Sequence, residues 1–225
     1  MIGIIAAMDI EVDAIRAISE ITSDQQIADC RIYVGKIGSK DIVLCKSGVG
    51  KTHAAMAATI LCMHYQPQAI INVGTAGGLL AQQKVLDIVI SSKVVQADFD
   101  TSAIDGPQGI GLTYQPCDKM IQLCTEAALR CGVTYHVGTI ASQDLFMARD
   151  EDFARLMERF PEAACSEMEA GAVAQVAQSF GVPYIIVRCL SDVVHHNENP
   201  MEFSEYAQKA SIQSAGLIQA FAQKL

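Results

Sequence analysis

Hydrophobic positions along this chain switch repeatedly between unbroken apolar runs and a spacing of three to four residues, the alternation expected of buried strands and amphipathic helices. Ile2 to Ala7 is the first apolar run and predicts a central strand, while Val12, Ile15 and Ile18 recur at helical spacing within Glu11 to Ser19. Cys30 to Ile37 and Asp41 to Lys46 flank a Gly-Ser-Lys turn and predict a hairpin. A helix over Lys51 to Tyr65 stops before Pro67, and Ala69 to Val73 reads as a buried strand entering a glycine-rich turn. Strands follow at Leu86 to Val95, Thr134 to Ala141 and Tyr184 to Leu190. Helices are predicted over 118–131, closed by Gly132, over 150–159, over 167–180, closed by Gly181, and over 203–224. Such interleaving predicts an α/β fold whose sheet is flanked by helices, with ligands collecting where strands end. No repeat, low-complexity tract or charge block interrupts it, so residues 1–225 are expected to form a single domain.

Composition narrows the classes. A chain of 225 residues that is 51% hydrophobic can bury a sizeable core without metals or disulfides. The eight cysteines include no C-x-x-C pair, which predicts reduced, buried thiols in a cytoplasmic protein. The N-terminus lacks the basic flank and apolar length of a signal peptide, and no membrane span is expected. A formal charge of -9 with no basic cluster argues against nucleic acid as a partner.

Polar residues near the ends of the apolar runs are the candidates for chemistry. Cys45 to Thr52 follows a strand, opens a helix and ends in Gly-Lys-Thr like a phosphate-binding P-loop, but Cys45 takes the place of that motif's first glycine. A glycine-rich turn capping the next helix is the better reading. In Ile71 to Gly78 three glycines let backbone approach a ligand, and Thr75 offers a hydroxyl either to a ribose or water or to the turn itself. Glu11 sits near a strand end and a helix N-terminus, where it either complements the dipole or does chemistry. Ser166-Glu167-Met168-Glu169 fits a capping box, and equally supplies carboxylates to a ribose diol. Arg188 and Asp192 close a buried strand, as a structural ion pair or with Asp192 as an acid that protonates a leaving group and Ser191 orienting it. His195 and His196 are adjacent and precede a loop, so they are read as solvated; no metal and no cofactor are expected.

Five segments occur in a telling order: Gly3 to Met8 with Glu11, INVGTAGG at 71–78, SQDLFMARD at 142–150, SEMEA at 166–170 and VRCLSDV at 187–193. In that order they resemble the methylthioadenosine/S-adenosylhomocysteine nucleosidases of the nucleoside phosphorylase superfamily, over nearly the whole chain. The resemblance implies a central twisted mixed β-sheet of the nucleoside phosphorylase type, a homodimer, and hydrolytic release of adenine from methylthioadenosine and S-adenosylhomocysteine. It makes Glu11 the base that activates water, Asp192 the acid serving adenine N7, and Ser191 its support. Arg188 and Thr75 would help hold the water, Glu169 and the Met168 backbone the ribose hydroxyls, and Phe146 with the Met147 backbone the adenine. Met8, Val49 and Phe203 would wall the pocket for the sulfur-bearing 5' group.

Similar phosphorylases carry a phosphate-binding arginine in the strand before the glycines, where this chain has Asn72, and Glu11 would repel phosphate, so water is the expected nucleophile. The rivals are a futalosine-type hydrolase, a purine nucleoside phosphorylase and a non-catalytic storage protein; the last has no need of Glu11, Glu169 and Asp192 together.

Overall fold

The computed structural model describes residues 1–193 and 200–225, with side chains from 205 onward in the second stretch. Among the described residues ten strands form one mixed sheet. At its centre β1 (Ile2–Ala6) pairs in parallel with β4 (Lys40–Lys46) on one side and β5 (Ala69–Gly78) on the other. The antiparallel strands β2 (Glu20–Ile27) and β3 (Cys30–Ile37) continue outward from β4 as a meander. Beyond β5 the pairing closes on itself. Strand β5 pairs with β10 (Tyr184–Val193), β10 with β6 (Ile88–Asp100), β6 with β8 (Tyr135–Ser142), β8 with β9 (Ala163–Glu167), and β9 returns to the end of β5. A ring of five strands has no free edge to slip or splay, so it makes a stiff frame. The short β7 (Ile110–Tyr114) pairs with β6 outside the ring.

Alternation along the central strands explains their unbroken hydrophobicity, since each side chain faces a helix layer whichever way it points. Ile4 and Val187 pack with α1 (Asp9–Ala17), α4 (Asp118–Cys131) and α7 (Pro200–Ala222) through Val12, Cys124 and Phe221. Ile5 and Ile186 pack on the opposite face with α2 (Lys51–Tyr65) and α6 (Ala170–Ser179) through Leu61 and Val173. A smaller cluster around Leu156 and Phe160 seats α5 (Asp150–Arg159). Among the described residues the remaining α-helix, α3 (Ser102–Asp105), is a single turn, followed by a 3-10 turn at Gly106–Gly109.

Three expectations are corrected. Strand β5 does not turn at its glycines but runs through Gly78, and none of Gly74, Gly77 and Gly78 has a left-handed φ. Ser166 lies within β9, paired with Gly77, and α6 begins only at Ala170, so the capping box does not form. Of the eight cysteines, Cys117 and Cys131 are exposed rather than buried. Among the described residues no helix is long and apolar enough to cross a membrane.

Candidate active site

A cavity of about 220 Å³ opens at the C-terminal ends of β1, β9 and β10, beside the last residues of β5. Glu11, Glu169 and Asp192 all line it, with Thr75 and Ser191 between them.

Glu11 is 3% exposed and stands in the first turn of α1. Its Oε2 accepts hydrogen bonds from the Ala7 and Met8 N–H groups, both at 3.0 Å. Its Oε1 accepts from the Thr75 N–H at 2.9 Å and from the Thr75 hydroxyl at 3.3 Å. The two readings of Glu11 therefore coincide, since one carboxylate both caps α1 and faces the cavity.

Glu169 meets a different helix. Its Oε1 accepts from the N–H of Gly50, the residue before α2, at 2.9 Å. Burial pushes this carboxyl up to about 7, a rise that nearby Arg188 partly opposes. Glu167 serves a third helix: its Oε2 accepts from the N–H groups of Glu169 at 2.9 Å and Ala170 at 2.8 Å, at the start of α6. Glu167, rather than Ser166, is thus what completes that helix terminus. Three acids occupy three helix N-termini, where the aligned peptide dipoles offset their charge.

Arg188 lies among these acids and is 1% exposed. Its guanidinium donates to Asn72 Oδ1 at 2.6 Å, to Glu167, and more loosely to Glu169 Oε2 at 3.5 Å. It sits behind the carboxylates and does not itself line the cavity. Nor does it pair with Asp192. The β5–β10 register slips at Ser191, so that Leu190 stands opposite Ala76 but Asp192 opposite Gly77. A bulge of this kind breaks the two-residue alternation and re-aims the side chain that follows. Asp192 instead accepts a 2.8 Å hydrogen bond from the Ser191 hydroxyl. Burial raises the Asp192 carboxyl, with the Ser191 bond pulling the other way.

The glycines of β5 supply room for these groups. A Cβ on Gly74 would lie 2.1 Å from Arg188 Nη1 and 2.9 Å from Glu11 Oε1, and one on Gly77 would lie 3.1 Å from Asp192 Oδ2. The P-loop-like segment is likewise occupied by the protein's own acids, since the N–H groups of Gly50 and Lys51 are held by Glu169 and Asp144.

Apolar walls complete the cavity. Met8 and Val49 line one part, and Phe146 and Met147 another, with Phe146 61% exposed at the mouth; Met168 lies between the acids Glu167 and Glu169. The side chain of Phe203, and His195 and His196, lie outside the described residues. Sequence reasoning offered Glu167 only as one of two acids beside Met168 and missed it as the partner of Arg188. Its signal was weak: a second acid two residues before Glu169 has no spacing rule that would couple it to an arginine on another strand.

Comparison with known proteins shows the family. The phosphorylase superfamily matches residues 1–223. The 5'-methylthioadenosine/S-adenosylhomocysteine nucleosidase of Halalkalibacterium halodurans is 42% identical, over 100% of this chain and 98% of that one. The nucleosidase of the same name from Colwellia psychrerythraea 34H, solved in complex with adenine, has a TM-score of 0.93 at 32% identity, covering 100% of this chain and 95% of that one. The futalosine hydrolase of Helicobacter pylori strain 26695 has a TM-score of 0.92 at 28% identity, covering 100% and 97%. With this match along its length, the chain belongs to the phosphorylase superfamily and, within it, to the 5'-methylthioadenosine/S-adenosylhomocysteine nucleosidases.

Proposed function

We propose that this enzyme hydrolyses the N-glycosidic bond of 5'-methylthioadenosine and S-adenosylhomocysteine, and of 5'-deoxyadenosine, releasing adenine and the 5'-substituted ribose. The observation that carries the reading is the convergence of Glu11, Glu169 and Asp192 on one cavity. Breaking a purine glycosidic bond builds positive charge on the ribose and negative charge on the base. Asp192, whose burial favours the protonated form and whose carboxyl Ser191 orients, donates a proton to adenine N7. Glu11 takes a proton from the attacking water. The long 3.3 Å bond from the Thr75 hydroxyl is the one of its four contacts that can give way to that water. Arg188 acts from behind, holding Glu167 and Glu169 in place for the water and ribose. Glu169 and the Met168 backbone receive the ribose hydroxyls, Phe146 and the Met147 backbone the adenine, and Met8 and Val49 the thioether.

Water is favoured over phosphate because Glu11, Glu167 and Glu169 outnumber the single guanidinium among them, and Asn72 supplies no second cation. The test is adenine release from methylthioadenosine in phosphate-free buffer. Dependence on added phosphate, with sugar 1-phosphate as product, would overturn the reading. Similarity to the futalosine hydrolase supports a second reading, to be separated by comparing rates on methylthioadenosine and futalosine.

Exposed Val49, Leu145 and Phe146 at the mouth support a homodimer in which a partner covers them. The acidic charge, the cysteine pattern and the lack of a spanning helix among the described residues support a soluble, cytoplasmic protein that binds no nucleic acid.

A further inference from the structure

We propose that Lys51, Asp98 and Asp144 are positioning residues: a latch that ties the loop carrying Phe146 and Met147 to the Gly48–Gly50 segment and so holds the Gly50 N–H on Glu169. The inference rests on the reading of Glu169 as the ribose acid. None of the three lines the cavity. They come from three separate elements and close a circuit of contacts. Asp98, near the end of β6, pairs through Oδ1 with the Lys51 ammonium and accepts the Asp144 N–H on Oδ2 at 2.9 Å. Asp144, just after β8, accepts the Lys51 N–H on Oδ1 at 2.8 Å. The next amide back along the chain is Gly50, which donates to Glu169.

Two features show that this circuit is needed. Lys51 is the first residue of α2, and that helix has no acid in its own first turn. A cation at a helix N-terminus opposes the macrodipole, so Lys51 is costly there unless something uses it. Its side chain is 16% exposed and committed to Asp98. The second feature is the segment before it. Gly48 and Gly50 take φ of 88° and 98°; the Gly48 N–H bonds Ala7 O at 3.2 Å and His53 Nδ1 lies 2.8 Å from Val49 O, but the permissive Gly50 still needs its own N–H aimed at Glu169. Asp144 adds a restraint at this point, its Oδ1 only 3.3 Å from where a Gly50 Cβ would be and bonded to the next N–H. The latch thereby joins the adenine side of the cavity to the ribose acid and to Val49 on the 5' wall.

Opening the circuit frees the Gly50 N–H to drift. Glu169 then loses a backbone donor that favours its ionised form, and its titration moves to higher pH. The experiment uses the full chain with Asp98→Ala, Lys51→Met and the conservative Lys51→Arg. Steady-state hydrolysis of methylthioadenosine is measured beside a carboxyl 13C titration of the free protein, with the Glu169 signal identified by its absence in Glu169→Gln. Asp98→Ala and Lys51→Met are expected to raise KM about tenfold, with kcat held within about threefold, and to move the Glu169 midpoint alkaline by about 0.5 to 1 in pH. Lys51→Arg should restore both. If the parent hydrolyses methylthioadenosine while both disruptive variants keep its KM and midpoint, the latch is wrong and the function stands. If the parent does not hydrolyse it, the function is wrong and the midpoint, which needs no turnover, decides the latch alone. Should Asp98→Ala not fold, Lys51→Met carries the same test.

Discussion

Replacing Glu169 with glutamine separates what this acid costs the fold from what it does for the reaction. Burial holds the carboxyl at about 7 in place of its ordinary 4.5. A carboxyl raised in the folded state contributes stability that is complete below the unfolded value and lost as pH rises through the folded one. For Glu169 the window runs from about pH 4.5 to about 7. At ~1.4 kcal/mol per unit, the stability lost across it is on the order of 3 kcal/mol. Glutamine has nearly the same shape and is neutral throughout, so it escapes this loss. Parent and variant should melt close together near pH 5 and diverge as pH rises. By pH 8.5 the variant should melt higher by on the order of 6–12 °C, taking roughly 2–4 °C per kcal/mol for a chain of this size. Hydrolysis should fall at the same time, on the order of a hundredfold, because a neutral amide is a poorer acceptor for the ribose hydroxyls than a carboxylate. Differential scanning calorimetry from pH 5 to 8.5 at fixed ionic strength reads the effect. A difference in Tm that is independent of pH, or a variant that melts lower at pH 8.5, would refute the argument.

Asp192→Asn should lower turnover by on the order of a hundredfold or more while melting no lower than the parent; because only protonated Asp192 donates, the parent's kcat/KM should fall on the alkaline side and the residual rate of the variant should not. Arg188→Met leaves Glu167 and Glu169 buried without their counterion, at a cost of about 3–5 kcal/mol near neutrality. Urea unfolding at pH 7.5 and pH 5 should show that loss shrinking as Glu169 takes up its proton, and an equal loss at both would count against it. Gly74→Ala forces a methyl against two buried, fixed side chains, which should cost about 1–3 kcal/mol and displace Arg188; an unchanged Tm and rate would mean that the room at Gly74 is not needed.

The sequence made the frame legible where each element carries its own period. The apolar runs of β1 and β10 and the helical spacing in α1 are set by burial against helices, a constraint written residue by residue. Strand β2 was hidden because its exposed Ser23, Asp24 and Gln25 bury nothing, its pairing with β3 resting on backbone bonds and surface contacts such as Arg31 with Asp24. Strand β9 was hidden for another reason: its acids looked like a helix start, and only the pairing of Ser166 with Gly77 makes them a strand end. The same limit governs the site. Glu11, Glu169 and Asp192 were each readable as acids near a strand or helix end, but the structural Arg188–Asp192 pair, one of two readings of that strand end, does not form, because the register slips at Ser191. Glu167 as the partner of Arg188 depends on strands that are distant in sequence, which no local pattern specifies.

Helix N-termini explain how so many carboxylates can share one small volume, and also what may enter it. In many α/β proteins such termini bind the phosphates of a ligand. Here the termini of α1, α2 and α6 hold Glu11, Glu169 and Glu167. An arriving phosphate would find these amides already occupied and would have to displace a carboxylate into a cavity that offers it little water. A neutral water displaces no carboxylate and needs only an acceptor, which Glu11 presents once the long Thr75 hydroxyl contact gives way. The positive end of each helix is therefore used to keep a fixed acid in place rather than to attract a mobile anion. Conversion to phosphorolysis should then require more than Asn72→Arg, because the added cation would meet a site whose anion positions remain filled. A phosphate-dependent rate from that single substitution would show that the helix termini do not exclude phosphate.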